Sequence, residues 1–130
     1  MRAFEAGSEL IRLHPHAAFD RICQCGYEVW YRTESEEECP GARDLIVQVT
    51  LMEQVVAAAD FTDDEFTAYC QNVRVEPTHQ RRGLATAMYV FAENVFGKPL
   101  SNYWASEPHQ SEAAKVMWAN PNRPFGRPGH

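Results

Sequence analysis

Apolar positions along the 130-residue chain follow two different periods. In "LIVQVTLM", Leu45 to Met52, the residues Leu45, Val47, Val49 and Leu51 share one face, the two-residue period of a half-buried strand. The next run, "EQVVAAADF", has alanines that favour helix, but Val55-Val56 and the short length suit a strand; a tight connection after Met52 makes the pair a hairpin. "FTAYCQNVRVEP" alternates again, with Tyr69, Gln71, Val73 and Val75 on one face, Cys70, Asn72, Arg74 and Glu76 on the other, and Pro77 ending it. Beyond that proline the period changes. Leu84, Met88, Phe91 and Val95 recur at steps of four, three and four, an apolar stripe along one side of a helix. Gly97 supplies its stop, and Lys98-Pro99 prevents continuation.

Weaker patterns fill the rest. A short helical piece is expected around Glu9 to Leu13, ended by His14-Pro15. "ICQCGYEVWYRT", Ile22 to Thr33, is rich in aromatic and β-branched residues and reads as a strand interrupted at Gly26. The acidic run from Glu34 to Asp44 closes with Pro-Gly and is a solvated loop, and Asp63, Asp64 and Glu65 mark another turn. "PLSNYW" is a short strand candidate and "SEAAKVMWAN", Ser111 to Asn120, a second helix; the tail, 121–130, is rich in Pro and Gly and expected to be irregular. Residues 1–130 are expected to form a single domain, since the length suits one core and not two.

Charge and cysteine usage narrow the function. With 12 Lys+Arg against 18 Asp+Glu the net charge is −6, which opposes nucleic acid and anionic membrane as partners. No apolar run approaches the length of a bilayer span and the first residues lack a signal-peptide core, so the expected compartment is the cytoplasm. The four cysteines, Cys23, Cys25, Cys39 and Cys70, are read as thiols. Cys70 is expected as a small buried hydrophobe in a strand, and Cys23-Gln-Cys25 at the start of one. A zinc site built from that pair with His14 and His16 fits the usual ligand spacing poorly, and no metal is expected.

The chemistry concentrates where strand gives way to helix. Arg81 and Arg82 precede a helix N-terminus, which has unpaired N–H groups and the positive end of the macrodipole, so two cations there call for an anion. A strand, a turn with Gly83 and a helix form a construction suited to gripping phosphate through main-chain N–H donors. The nucleoside triphosphate loop and the dinucleotide fingerprint are both absent.

"Gln80-Arg81-Arg82-Gly83-Leu84-Ala85", following "Val73-Arg74-Val75-Glu76-Pro77", resembles the Q/R-x-x-G-x-G/A signature and preceding strand of the GNAT family of N-acetyltransferases. The resemblance runs from about Tyr69 to Trp118 and implies an α/β fold, with a mixed, mostly antiparallel central sheet flanked by helices. It implies acetyl-CoA as co-substrate, its pyrophosphate held by Gln80, Arg81, Arg82, Gly83, Leu84, Ala85 and Thr86, and its pantetheine arm by main-chain groups of Val73 and Val75. In the last helix the family's N-x-x-A-x-x-x-Y is replaced by a segment that runs from Ser111 to Trp118, with Ser111 at the first position. The family tyrosine there commonly protonates the departing thiolate, and an indole cannot; a glutamate base common in the family's motif strand is replaced by Tyr69. Tyr69 and Tyr103 are the candidates for proton transfer. The usual closing strands are reduced or supplied by a partner, which admits a homodimer.

The activity implied is acetyl transfer to a primary amine, either a small molecule or a protein lysine or N-terminus. Two rivals stand beside it. One is a non-catalytic acyl-CoA-binding module; the other is a small nucleic-acid-binding domain using Arg74, Arg81 and Arg82, against which the net charge of −6 counts.

Overall fold

Alternation builds a six-stranded sheet whose spatial order, β1-β2-β3-β4-β5-β6, is the order of the chain. The computed structural model describes residues 4, 9–14, 16–35, 39–102 and 112–126. Strands β1 (Ile11–Arg12), β2 (Glu28–Ser35), β3 (Arg43–Leu51), β4 (Gln54–Asp63) and β5 (Ala68–Val75) pair antiparallel, and β6 (Leu100–Ser101) joins β5 in parallel. A parallel neighbour needs a crossover, and helix α2 (Leu84–Phe96) supplies it. The helical turn α1 (Asp20–Cys23) precedes β2, and α3 (Glu112–Ala119) follows β6. The sheet is thus mixed and mostly antiparallel, as the resemblance implies.

One face of the sheet carries the core. Val29, Leu45, Val47, Val49, Ala57, Ala59 and Phe61 are buried there against Leu84, Met88, Phe91 and Ala92 of α2. The expected stripe on α2 is the buried one, with Val95 packed at its margin. Phe91 anchors the helix to the N-terminal part of the chain through ring contacts with Phe19 at 5.5 Å and Tyr31 at 5.6 Å. The other face is more polar and holds a small cluster of Ile46 and Ala58, against which Phe4, Leu10 and Val55 pack.

The run "EQVVAAADF" is strand, paired with β3 through a two-residue turn. Met52 and Glu53 both have positive φ, 51° and 70°, the left-handed pair that a two-residue hairpin loop requires.

Several local expectations are corrected. Glu9 to Leu13 is not helical: Ile11–Arg12 is the edge strand β1, and Leu13 N–H bonds to Val29 O at 2.8 Å. The strand expected from Ile22 begins only at Glu28, because Phe19 and Ile22, three residues apart, both enter the core from one side of a helical turn. Cys23-Gln-Cys25 therefore ends a helical turn, and Cys23 and Cys25 are exposed. In β5 the alternation breaks. Phe61 pairs with Cys70 and Asp60 with Asn72, so Gln71 is the extra residue of a β-bulge. Ala68 and Cys70 consequently face the same core as Val73 and Val75, whereas Tyr69 and Gln71 belong to the polar face, where Gln71 Nε2 donates to Thr62 Oγ1 at 2.7 Å.

Beyond α3, residues 121–126 form turns and bends that dock on the helices: Phe125 is fully buried and Gly126 N–H donates to Glu93 Oε2 at 2.7 Å. The indole of Trp118 lies over Gly126, where a Cβ would come within 2.6 Å of the ring.

Candidate active site

The two strands that neighbour each other in parallel separate almost at once. Ala68 pairs with Leu100 and Tyr69 with Ser101, and among the described residues β5 has no partner on that edge beyond Tyr69. The fork opens directly before the Gln71 bulge. Glu76 N–H bonds across to Val56 O at 2.8 Å, so strand alternation turns the main-chain groups of Val73 and Val75 the other way, toward the open edge. Their side chains pack against the core.

At the end of β5, Pro77–His79 forms a 3-10 turn, and Gln80 Nε2 donates to Val75 O at 3.2 Å. Arg81 then adopts φ 64° and Gly83 φ 82° before α2 begins. A Cβ on Gly83 would meet nothing within 4 Å, so the positive φ and not crowding is what calls for glycine. No side chain caps α2 among the described residues, which leaves its first N–H groups open; Ala87 N–H bonding Gly83 O at 2.9 Å is the first rung of the helix. Leu84 divides its role, since its side chain is core and only its main chain belongs to the turn. Ala85 and Thr86 are half-buried, and Gln80, Arg81 and Arg82 are exposed.

Arg82 is not a loose cation. Its Nη1 donates to the hydroxyl of Tyr27 at 2.9 Å, and that hydroxyl lies 2.8 Å from Nδ1 of His79. Sequence reasoning misses Tyr27 entirely. The contacts span 55 and 52 residues, and no local pattern marks a tyrosine after a glycine turn as a partner of either residue.

Trp118 is buried, with its ring 6.0 Å from that of Tyr89 and 5.0 Å from that of Phe125. Tyr89, on α2, is nearly inaccessible and shares hydrogen bonds with Trp118 and with the Cys70 thiol. Burial pushes the Tyr89 phenol well up, with the neighbouring Cys70 adding to it. Cys70 keeps some exposed surface as a residue, but its thiol is enclosed, and burial pushes it up to about 12. Both groups stay protonated at neutral pH. Tyr69 is half-buried and stands at the last rung of the fork on the polar face. It is therefore on the opposite side of β5 from Cys70 and Tyr89. Tyr103 and Ser111 lie outside the described residues.

The model of the acetyltransferase (GNAT) family matches residues 9–117. The chain belongs to this family. No curated protein and no solved structure matches it. The acetyltransferase domain thus covers far more of the chain than the Tyr69 to Trp118 stretch that carries the sequence resemblance, including β1 to β4. Within the acetyltransferase, the strand, bulge, turn and uncapped helix stand in succession at the fork. Among its described residues there is no cluster of three or more metal-ligating side chains, and no helix long and apolar enough to cross a membrane.

Proposed function

We propose that this acetyltransferase moves the acetyl group of acetyl-CoA directly to a primary amine of a small molecule or a protein. The observation that carries the reading is the open edge of β5, toward which Val73 and Val75 turn their main-chain groups, followed by the uncapped N-terminus of α2. Those groups fit the ligand: the edge suits an amide-bearing pantetheine arm, and Arg81 to Thr86 suit a pyrophosphate, through the helix N–H groups and macrodipole. Bound acetyl-CoA supplies a thioester, whose C–S bond breaks as the amine nitrogen forms the new C–N bond and the sulfur leaves as thiolate.

The protein's part is positioning. Val73 and Val75 would hold the arm along β5 through their main-chain groups, and backbone N–H groups would polarise the thioester carbonyl. Placing the amine against the thioester in one geometry accounts for much of the rate. A proton must leave the attacking nitrogen, to a chain of water, and one must reach the thiolate. Tyr69, at the fork, is assigned the second task, with Tyr103 as the alternative. Trp118 is enclosed in the core and has no acidic proton to give.

That burial of Trp118 favours a second reading, an acyl-CoA-binding module without turnover. A nucleic-acid patch is less well supported, because Arg74 pairs with Glu76 at 3.6 Å and lies over Phe4, and the net charge is −6.

Calorimetric titration with CoA and acetyl-CoA tests the site. Micromolar binding, weakened roughly tenfold or more by Arg81→Ala with Arg82→Ala, is expected, since tenfold is about 1.4 kcal/mol and two phosphate contacts exceed that. Absence of binding overturns the assignment. Release of thiol with a panel of primary amines then separates the enzyme from the binding module.

A further inference from the structure

We propose that Tyr27 is the positioning residue of the phosphate loop, its buried hydroxyl holding Arg82 and His79 together at the head of α2. This rests on the reading of that loop as the CoA site. Tyr27 is 3% exposed and follows directly on the Gly26 turn, so β2 and the core fix its ring before it meets the loop. The ring also meets the His79 imidazole edge-on, with centroids 5.7 Å apart.

Donor and acceptor counting fixes the direction of the bonds. A guanidinium only donates, so the Tyr27 oxygen accepts from Arg82 Nη1. The single hydroxyl proton is then available to His79 Nδ1, 2.8 Å away. In the reverse arrangement, with Nδ1–H donating, the Tyr27 oxygen would receive both neighbours and its own proton would be buried without an acceptor, which is costly. The arrangement that satisfies all three groups has the Tyr27 hydroxyl accepting from Arg82 and donating to His79 Nδ1.

The consequence for binding is preorganisation. An exposed arginine loses much of its rotamer freedom when a ligand immobilises it. Arg82 is immobilised in advance by one nitrogen, and the remaining N–H groups of its fork stay available to an anion. Arg81 makes no such bond among the described residues and adapts to the ligand instead. The two adjacent arginines thus have different roles, and the difference is set by a residue from the far side of the sheet's meander.

The test is a double-mutant cycle with CoA as the calorimetric probe, using the unmodified protein, Tyr27→Phe, Arg82→Ala and the double variant, with thermal unfolding confirming that each is folded. Tyr27→Phe keeps the ring and its packing and removes only the hydroxyl. It is expected to weaken CoA binding roughly threefold to tenfold, as loss of a bond to a charged group does. The double variant should bind within about twofold of Arg82→Ala alone, because Tyr27 acts through that side chain. If Tyr27→Phe binds CoA as tightly as the unmodified protein, or if the two losses multiply in the double variant, the positioning role is overturned while the CoA site stands. If the unmodified protein itself binds no CoA, the CoA-site reading is overturned, and this inference with it.

Discussion

Arg81 holds φ 64° in the turn that leads to α2, a conformation that costs a side-chain-bearing residue roughly 1–2 kcal/mol. Glycine would adopt it freely, and Gly83 two positions later does so. An arginine retained in that conformation is a sign of use. Arg81→Gly is therefore expected to raise stability by about 1 kcal/mol, seen as a higher thermal midpoint, while weakening CoA binding several-fold by calorimetry. A gain in both would mean the strain serves nothing at this site. The cysteines allow a second check at this scale. Cys23, Cys25 and Cys39 are exposed, whereas the Cys70 thiol is enclosed and pushed up to about 12. Since the thiolate is the reactive form, alkylation of the native protein near pH 8 should modify those three and spare Cys70, with all four modified after denaturation. Mass spectrometry of the labelled protein reads the count.

Among the elements, long runs with one period were legible and short or interrupted ones were not. The stripe from Leu84 to Val95 marks α2, and the alternation from Leu45 marks β3. A turn of four residues such as Asp20–Cys23 is too short to show a helical period, so the residue pattern joins Ile22 to the strand that in fact starts at Glu28. The bulge at Gln71 leaves no mark either, because one inserted residue changes the face of its neighbours without changing composition. The turn from Gln80 to Gly83 was legible because it is local, while its contact with Tyr27 was not, because that residue is distant in sequence. The β3–β4 turn is another hidden feature. Met52 and Glu53 occupy left-handed positions normally given to Asn and Gly, and the Met52 side chain is exposed. Replacing the pair by Met52→Asn with Glu53→Gly should stabilise the hairpin by roughly 1 kcal/mol. Chemical denaturation should show a higher midpoint at unchanged slope.

On the scale of the molecule, one carboxylate joins several elements. Asp63, at the end of β4, accepts from Lys98 Nζ at 2.8 Å and from Arg43 Nε at 3.4 Å, and Arg43 also donates to Phe96 O at the end of α2 at 3.2 Å. Burial by itself would raise the Asp63 carboxyl. The bonds from Lys98, from Glu65 N–H and from Arg43 reverse this and hold it below the usual value of 3.8. A depressed carboxyl contributes stability that is fully present above the unfolded value and is lost as pH falls through the folded one. Unfolding midpoints should therefore decline from just above pH 4 downward. Asp63→Asn should remove that part of the acid dependence and cost roughly 2 kcal/mol at neutral pH, where two cations lose their partner.

The open edge of β5 has one more implication. Among the described residues no strand pairs with that edge beyond Tyr69, and such an edge accepts an extended chain of any origin, a second polypeptide being chemically as suitable as a pantetheine arm. The ligand-free protein therefore carries a site for self-association into aggregates, which the ligand itself would shield. Light scattering on gentle heating should rise more slowly with CoA present, at temperatures too low for the fold itself to melt.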